Sequence, residues 1–520
     1  MTEQRKSRLS LAVLFLLLLV LAALRPLAVP DEGRYGEIGR WMLQSGDWLT
    51  PRLNGIPFFH KPPYLYWLEA ASLAVFGVHA WALRLVPALH AGLMLLALYA
   101  GARHFAGEAV ARRAVWMLGS SLAFLLGGQY VNHDMLVAAW IGVAIWCFAL
   151  AFLHGPTPQP ALARWGFVAC ALGVLSKGLM GLALPGLVLL LWLLWTRQLD
   201  KVLRLPWVSG LALFGAIALP WFWLAERRFP GMLDYLVGTQ QVGRFSATSF
   251  NNGQPWWFYG LCLLVLLFPW AFFALNQALA QVWRPHVASN SIARAGLALC
   301  WIWLLAIIGF FSIPSSKIIG YALPVMPPLA LLAALGWDDA MARLKLAART
   351  QGRLFAGLCV LGLGIAVAAN LAATDYTRKY GAQDVAQALK AAGAQPSDPA
   401  YMLGDYAYDL PFYRQAGQPM VILLDWSVLR RLDGDDWQHE LLDGAVFDAQ
   451  AARVLQMPEA LAQARQQAGA WLIARTEVAP PGFTRVFRGR AWSLYRPLAA
   501  AGPALESAPE SALEGPKPAE

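Results

Sequence analysis

Apolar runs of about twenty residues recur along this chain, and nothing else in it constrains the fold so strongly. A backbone inside hydrocarbon must satisfy its own hydrogen bonds, so such runs fold as helices. Composition agrees: 58% of the 520 residues are hydrophobic and only 14% are charged, against about 25% charged in a soluble globular chain. The chain reads as a polytopic α-helical membrane protein. Its net charge of +10 is spread over loops, a placement that argues against nucleic acid. Cys147, Cys170, Cys262, Cys300 and Cys359 all lie in apolar segments without paired spacing. They read as small buried hydrophobes, with no disulfide and no thiolate metal site.

The first run, residues 9–29, follows Arg5, Lys6 and Arg8 and lacks a small-residue cleavage site before Asp31, so it reads as a retained anchor. Further spans are expected at 80–100, 114–130, 135–153, 165–176, 179–195, 206–224, 256–277, 296–312, 320–337 and 354–372, about eleven in all. With eleven spans, Arg103, Arg112 and Arg113, then Arg197, Lys201 and Arg204, then Arg343, Lys345, Arg349 and Arg353 fall on the side of the N-terminus, which the positive-inside rule makes cytoplasmic. The opposite, external face receives the loops 31–79 and 225–255. Residues 64–76 are amphipathic and too short to span, so they read as a helix lying in the interface. Residues 1–374 form the membrane domain. Residues 375–498 carry ordinary charge, alternating runs at 420–424 and 470–474 and helical windows at 380–392 and 457–468, which read as a small external α/β domain. The tail 499–520, rich in Ala, Pro and Glu, reads as disordered.

The external loops hold charge that anchoring does not require. Asp31, Glu32, Arg34, Glu37 and Arg40 follow the first apolar run directly, and charge near lipid is costly unless paired, wet or functional. Asp31 has an alternative use as a helix N-cap, and Asp134 as an Asx-turn residue. Lys61 stands between aromatics and a stiff Pro62-Pro63, where it could meet a phosphate as a point charge. Lys177, Arg244 and Lys317 also fall externally; each alone could be a snorkelling anchor, but the positive-inside rule disfavours them there. Cations beside carboxylates suit an anionic, lipid-linked substrate. His60, His79, His90, His104, His133 and His154 show no metal-ligand spacing, and no Gly-rich phosphate loop is present.

Three segments carry a resemblance: Asp31-Glu32-Gly33-Arg34-Tyr35, Gly46 to Gly55, and Lys61-Pro62-Pro63-Tyr64. They resemble the first external loop of the lipid A aminoarabinose transferases and, more broadly, the protein O-mannosyltransferase-like GT-C glycosyltransferases. Leu175-Ser176-Lys177-Gly178, Arg244-Phe245, Ser315-Ser316-Lys317, Leu323 to Pro328 and, more weakly, Asp405-Tyr406 to Pro411-Phe412-Tyr413 fit the same pattern. The resemblance implies a GT-C fold in the bacterial inner membrane, a periplasmic active site, a polyprenyl-phosphate-sugar donor and single displacement with inversion. It makes Asp31 the main carboxylate and Asp134 a second acidic position. Lys61, Arg244, Lys317 and Lys177 would hold the donor phosphate, with Glu32, Arg34, Tyr35, His60 and Tyr64 as further site candidates. Two family positions that can hold a metal, a Glu before Lys-Pro-Pro and a His before Arg-Phe, are here His60 and Gln240-Gln241. No metal and no other cofactor is therefore expected.

The function expected is transfer of a sugar to lipid A or another envelope glycolipid. A hydroxyl acceptor would need a base, for which Asp31 is the candidate; a phosphate acceptor would need none. Two alternatives remain. One is the same fold acting on protein or O-antigen; the other is a lipid-phosphate flippase, which would need the cations but not the carboxylate.

Overall fold

The computed structural model describes residues 3–243, 253–283, 291–431 and 437–498; Arg244 and the 499–520 tail lie outside the described residues. The chain divides into two compact units. One comprises Met1–Leu24, Phe59–Val75 and Trp81–Leu371, and the other Arg25–Phe58, Phe76–Ala80 and Ala372–Glu520.

The first unit is helical. Among the described residues six helices are long and apolar enough to cross a membrane: Ala80–Gly119, His133–Leu153, Trp207–Arg228, Ser291–Ser312, Ile319–Leu344 and Ala348–Tyr380. A seventh span results if Phe258–Leu266 and Ala271–Ala280, bent by 116°, count as one; Pro269 sits in that bend and cannot continue the helical ladder. Several of the about eleven expected spans are shorter or broken helices. The first helix, Glu3–Ala22, ends before Arg25 and Pro26, with Ser7–Ala22 as its apolar part. Met180–Thr196 is another shorter apolar helix. The expected 114–130 span is split between the end of Ala80–Gly119 and the six-residue helix Leu122–Gly127. A short apolar helix stands at Tyr64–Phe76, the bounds expected for the interfacial segment.

Aromatic and small residues mesh in this core. The Trp146 and Trp303 rings meet at 5.3 Å between centroids, and Gly101 leaves the space into which Trp146 fits. Small residues at such places let membrane helices approach closely.

The second unit joins the first loop to the C-terminal region. Its sheet has six strands: β3 (Ala400–Leu403), β4 (Val421–Leu423), β5 (Leu455–Gln456), β6 (Trp471–Arg475), β7 (Phe483–Arg488) and β8 (Trp492–Pro497), in the order β5-β4-β3-β6-β8-β7. The first four are parallel, and β8 and β7 continue antiparallel. Between β3 and β6 the order reverses, making a switch point at the carboxyl ends of those strands. Tyr401, Leu423, Leu472 and Tyr495 are buried together against one face of the sheet.

Helix Asp31–Ser45 belongs to this unit, with the hairpin β1 (Arg52–Leu53) and β2 (Ile56–Pro57). Asn54 and Gly55, both at positive φ, make the two-residue turn. Asn54 exchanges two hydrogen bonds of 2.8 Å with the Met420 backbone. Gly33 lies so close to Asp409 that a Cβ there would stand 2.8 Å from its backbone. The first loop, grouped by sequence with the membrane domain, thus folds up to Phe58 with residues far along the chain.

Candidate functional site

The sequence candidates fall in both units. In the second, helix Asp31–Ser45 starts from Pro30 at the N-cap position without a side-chain cap bond. Asp31 is therefore in the first turn rather than at the cap, and the N-cap alternative does not hold. One turn on, Arg34 Nη2 donates to Asp31 Oδ1 at 2.7 Å. The other two carboxylates of the motif are locked away. Arg25 clasps Glu32 with both terminal nitrogens, and the Ala28 N–H donates to Glu32 Oε2 at 2.7 Å. Arg40 donates through Nε and Nη2 to both Glu37 oxygens at 2.6 Å and reaches the Ala416 carbonyl at 2.8 Å. Side-chain exposure is 0% for Glu32 and 1% for Glu37, but 27% for Asp31. Asp31 alone of the three can meet a molecule from outside.

Arg34 is buried. It donates to the Tyr35 hydroxyl at 2.9 Å and, through Nη1, to Glu440. Its guanidinium carbon lies 4.5 Å from the Tyr35 ring centroid and 4.4 Å from that of Trp437. Burial acts to lower its pKa, but Glu440 first, then Tyr35, Asp31 and Tyr408, hold it well above the ordinary range. Burial raises Glu37 above the usual carboxylate range, with Arg40 opposing.

In the first unit, Lys61 is half-buried between His60 and Pro62. Tyr64 and His90 share a hydrogen bond of 3.3 Å, and both rings pack edge-on against Trp140. Asp134 and Lys177 form an ion pair, nearly buried. The Asn132 side chain caps the helix that begins at His133, accepting from the Asp134 N–H, and it donates to Asp134 Oδ2 at 2.9 Å. The Asx-turn role weighed for Asp134 is thus taken by Asn132. The Lys177 ammonium also lies 4.7 Å from the Tyr321 ring centroid. The absent Cβ of Gly320 leaves room for the Asp134 carboxylate. Lys317 donates to the carbonyls of Gln254 at 3.0 Å and Pro314 at 2.8 Å. Two of the four expected phosphate-binding cations therefore have ammonium groups engaged inside the protein, a use their isolated sequence positions did not show.

The metal question turns on His60. Its Nε2 shares a 2.9 Å hydrogen bond with the Tyr235 hydroxyl, which accepts from Gln240 Nε2 at 2.9 Å. Gln241 accepts from the Leu179 N–H at 2.6 Å. One imidazole, a phenol and an amide do not make the three- or four-ligand set that zinc takes. Among the described residues no group of three His, Cys, Asp or Glu is placed to hold a metal ion.

Residues that sequence reasoning missed are Arg25, Tyr235, Tyr321, Trp437 and Glu440. Arg25 was hidden inside the expected first span, although an arginine beside Pro26 could have marked its end. Glu440 lies 406 positions from its partner Arg34, and no local pattern announces it.

Residues 7–236 match the family model described as dolichyl-phosphate-mannose-protein mannosyltransferase. The undecaprenyl phosphate-alpha-4-amino-4-deoxy-L-arabinose arabinosyl transferase of Pseudomonas savastanoi pv. phaseolicola is 32% identical over 370 residues, 70% of this chain and 67% of that protein. A similarly named Pseudomonas fluorescens transferase is 32% identical over 311 residues, 58% of this chain and 52% of that protein. The chain thus spans between about half and two thirds of the length of these curated relatives. The crystal structure of ArnT from Cupriavidus metallidurans bound to undecaprenyl phosphate superposes with a TM-score of 0.79 at 24% identity, covering 95% of this chain and 98% of that one. The archaeal oligosaccharyltransferase AglB from Archaeoglobus fulgidus follows with a TM-score of 0.53 at 13% identity, covering 91% of this chain and 70% of that one. The fold is of the GT-C type, in a multi-pass membrane protein. By its identity across two thirds of the Pseudomonas savastanoi protein, the chain belongs to the family of the undecaprenyl phosphate-alpha-4-amino-4-deoxy-L-arabinose arabinosyl transferases.

Proposed function

We propose that this protein is a membrane glycosyltransferase of the inner membrane, moving a sugar from a polyprenyl-phosphate donor to a lipid-borne acceptor on the periplasmic face. The sugar best supported is 4-amino-4-deoxy-L-arabinose and the acceptor lipid A, in keeping with the family. The single observation that carries the residue assignment is the selective exposure of Asp31 beside two carboxylates that arginines have sealed.

In this reading the sugar C1–O bond to the donor phosphate breaks as the acceptor oxygen attacks from the opposite face. Negative charge stays on the departing polyprenyl phosphate, where a positioned ammonium stabilises it. Lys61 has that role here, with Arg244 as its expected companion. Asp31 takes the proton of a hydroxyl acceptor, or orients the acceptor where that is already a phosphate. Asp134 and Lys177, being paired, serve to hold the helix ends they stand on.

A second reading, with protein or O-antigen as acceptor, is favoured by the mannosyltransferase model over residues 7–236. Mass spectrometry of lipid A from deletion and complemented strains separates the two. The test of mechanism is Asp31→Asn in purified full-length protein with an undecaprenyl-phosphate sugar. Transfer should fall by roughly 10²–10⁴-fold with the melting temperature unchanged. Wild-type transfer by that variant would remove Asp31 from the chemistry.

A further inference from the structure

Arg34 has a geometry that a surface salt bridge would not need. Its guanidinium carbon lies over both the Tyr35 and the Trp437 rings, 4.5 and 4.4 Å from their centroids, contacts that add cation–π attraction. Its donors are divided. Nη2 serves Asp31 Oδ1 at 2.7 Å and the Tyr35 hydroxyl at 2.9 Å, while Nη1 serves Glu440. The side chains of Arg34 and Glu440 are only 2% and 8% exposed, whereas Asp31 is 27% exposed.

These placements have different origins. Asp31 and Arg34 meet because they are one helical turn apart. Glu440 arrives from helix His439–Ala445, whose Gly444 leaves room for the Pro57 carbonyl of β2. Glu440 brings a second carboxylate to the buried arginine, which with Asp31 alone would be an under-compensated buried charge. A guanidinium presents its donors in a rigid fork. Held by Glu440 on one nitrogen and packed against two rings, that fork presents its other terminal nitrogen to Asp31. We infer that Glu440 is a positioning residue for the reaction, acting through Arg34 to fix the Asp31 carboxylate in register for the acceptor. The C-terminal region would then take part in turnover through one named carboxylate.

This inference rests on the assignment of Asp31 made above. The experiment uses the purified full-length protein and a short-chain undecaprenyl-phosphate-type sugar donor, with kcat, donor KM and melting temperature read together. Glu440→Gln, which keeps shape and loses charge, should lower kcat by about tenfold and move donor KM by less than about twofold. Arg34→Ala should lower kcat by roughly 10²-fold, the effect of a small misplacement of a reacting group. Methylguanidinium, which carries the deleted group's charge and donors, should restore about tenfold of that loss. Arg34→Lys should recover little, because an ammonium lacks the fork. On an Asp31→Asn background Arg34→Ala should cost nothing further, since the two act as one unit.

If Asp31→Asn is inactive while Glu440→Gln turns over like wild type, the positioning role is overturned and the Asp31 assignment stands. If Asp31→Asn is fully active, both fall. A kcat loss in Glu440→Gln or Arg34→Ala that only tracks lost folded protein, without rescue, also overturns the role. Should Arg34→Ala fail to fold, the isosteric Glu440→Gln still decides.

Discussion

Helix Asp31–Ser45 and the cations of the helical unit handle charge in opposite ways. On the helix each carboxylate has an arginine close in sequence: Asp31 with Arg34, Glu37 with Arg40, and Glu32 with Arg25. Among the lysines, Lys177 takes Asp134 from 43 positions away, and Lys317 takes the Gln254 carbonyl from 63 besides the neighbouring Pro314 carbonyl. The local pairs build one rigid helix that leaves one carboxylate open. The remote pairs tie loops and helix ends together. A motif dense in charge is thus mostly scaffold, with function confined to the member left accessible.

That contrast can be broken at its scaffold end first. Glu37→Gln leaves Arg40 buried without its counter-charge and should destabilise the protein by about 3–5 kcal/mol, while turnover per folded molecule is kept. Chemical denaturation in detergent beside an active-site-normalised assay reads both. A loss of turnover at full stability would make Glu37 functional rather than structural.

The lysines come next. Lys61→Ala should weaken binding of a short-chain polyprenyl phosphate by roughly ten- to a hundredfold, the contribution of a hydrogen bond to a charged group. Lys61→Arg should recover little, because a planar fork does not replace a point charge beside a stiff Pro-Pro. Unchanged binding by Lys61→Ala would make Lys61 another tether, like Lys317.

A smaller effect separates a buried carboxylate with no arginine partner from those that have one. Burial pushes Asp409 up to about 7; it accepts from the Ala382 N–H, and its Oδ1 has no hydrogen-bond partner among the described residues. Its pKa is raised relative to the unfolded chain, so the folded state binds the proton more tightly. The stabilisation is fully present below the ordinary carboxylate pKa and is lost as pH rises to about 7. Melting temperatures between pH 4 and 8 should show this slope, and Asp409→Asn should flatten it.

The smallest effect expected is that of metal removal. His60 faces Tyr235 and Gln240 instead of a ligand set, so chelators should leave transfer unchanged and purified protein should hold less than stoichiometric zinc. Elemental analysis beside activity with and without chelator checks this. Stoichiometric zinc needed for turnover would give His60 a ligand role.

What the sequence made legible follows the range of the interactions. The apolar runs, the short helix Tyr64–Phe76 and the strands near 421–423 and 471–475 are set by local pattern. So is the helix opening at Asp31, whose Arg34 and Arg40 partners stand at helical spacing. The number of spans was less legible, because hydropathy does not show where Arg25-Pro26 ends a helix. The Asp134–Lys177 pair, the Tyr235 bridge and Glu440 depend on tertiary contacts that no local pattern encodes. Arg34 was legible as a candidate, but the residue that holds it was not.

The central claim is that Asp31 meets the substrate while its carboxylate neighbours hold the helix. Asp31→Asn and Glu37→Gln assayed side by side, with rates normalised to folded protein, test it most directly. The account predicts that Asp31→Asn is stable and inactive, and that Glu37→Gln is unstable and active when folded. The reverse pair of outcomes, or equal losses of turnover in both, would contradict it.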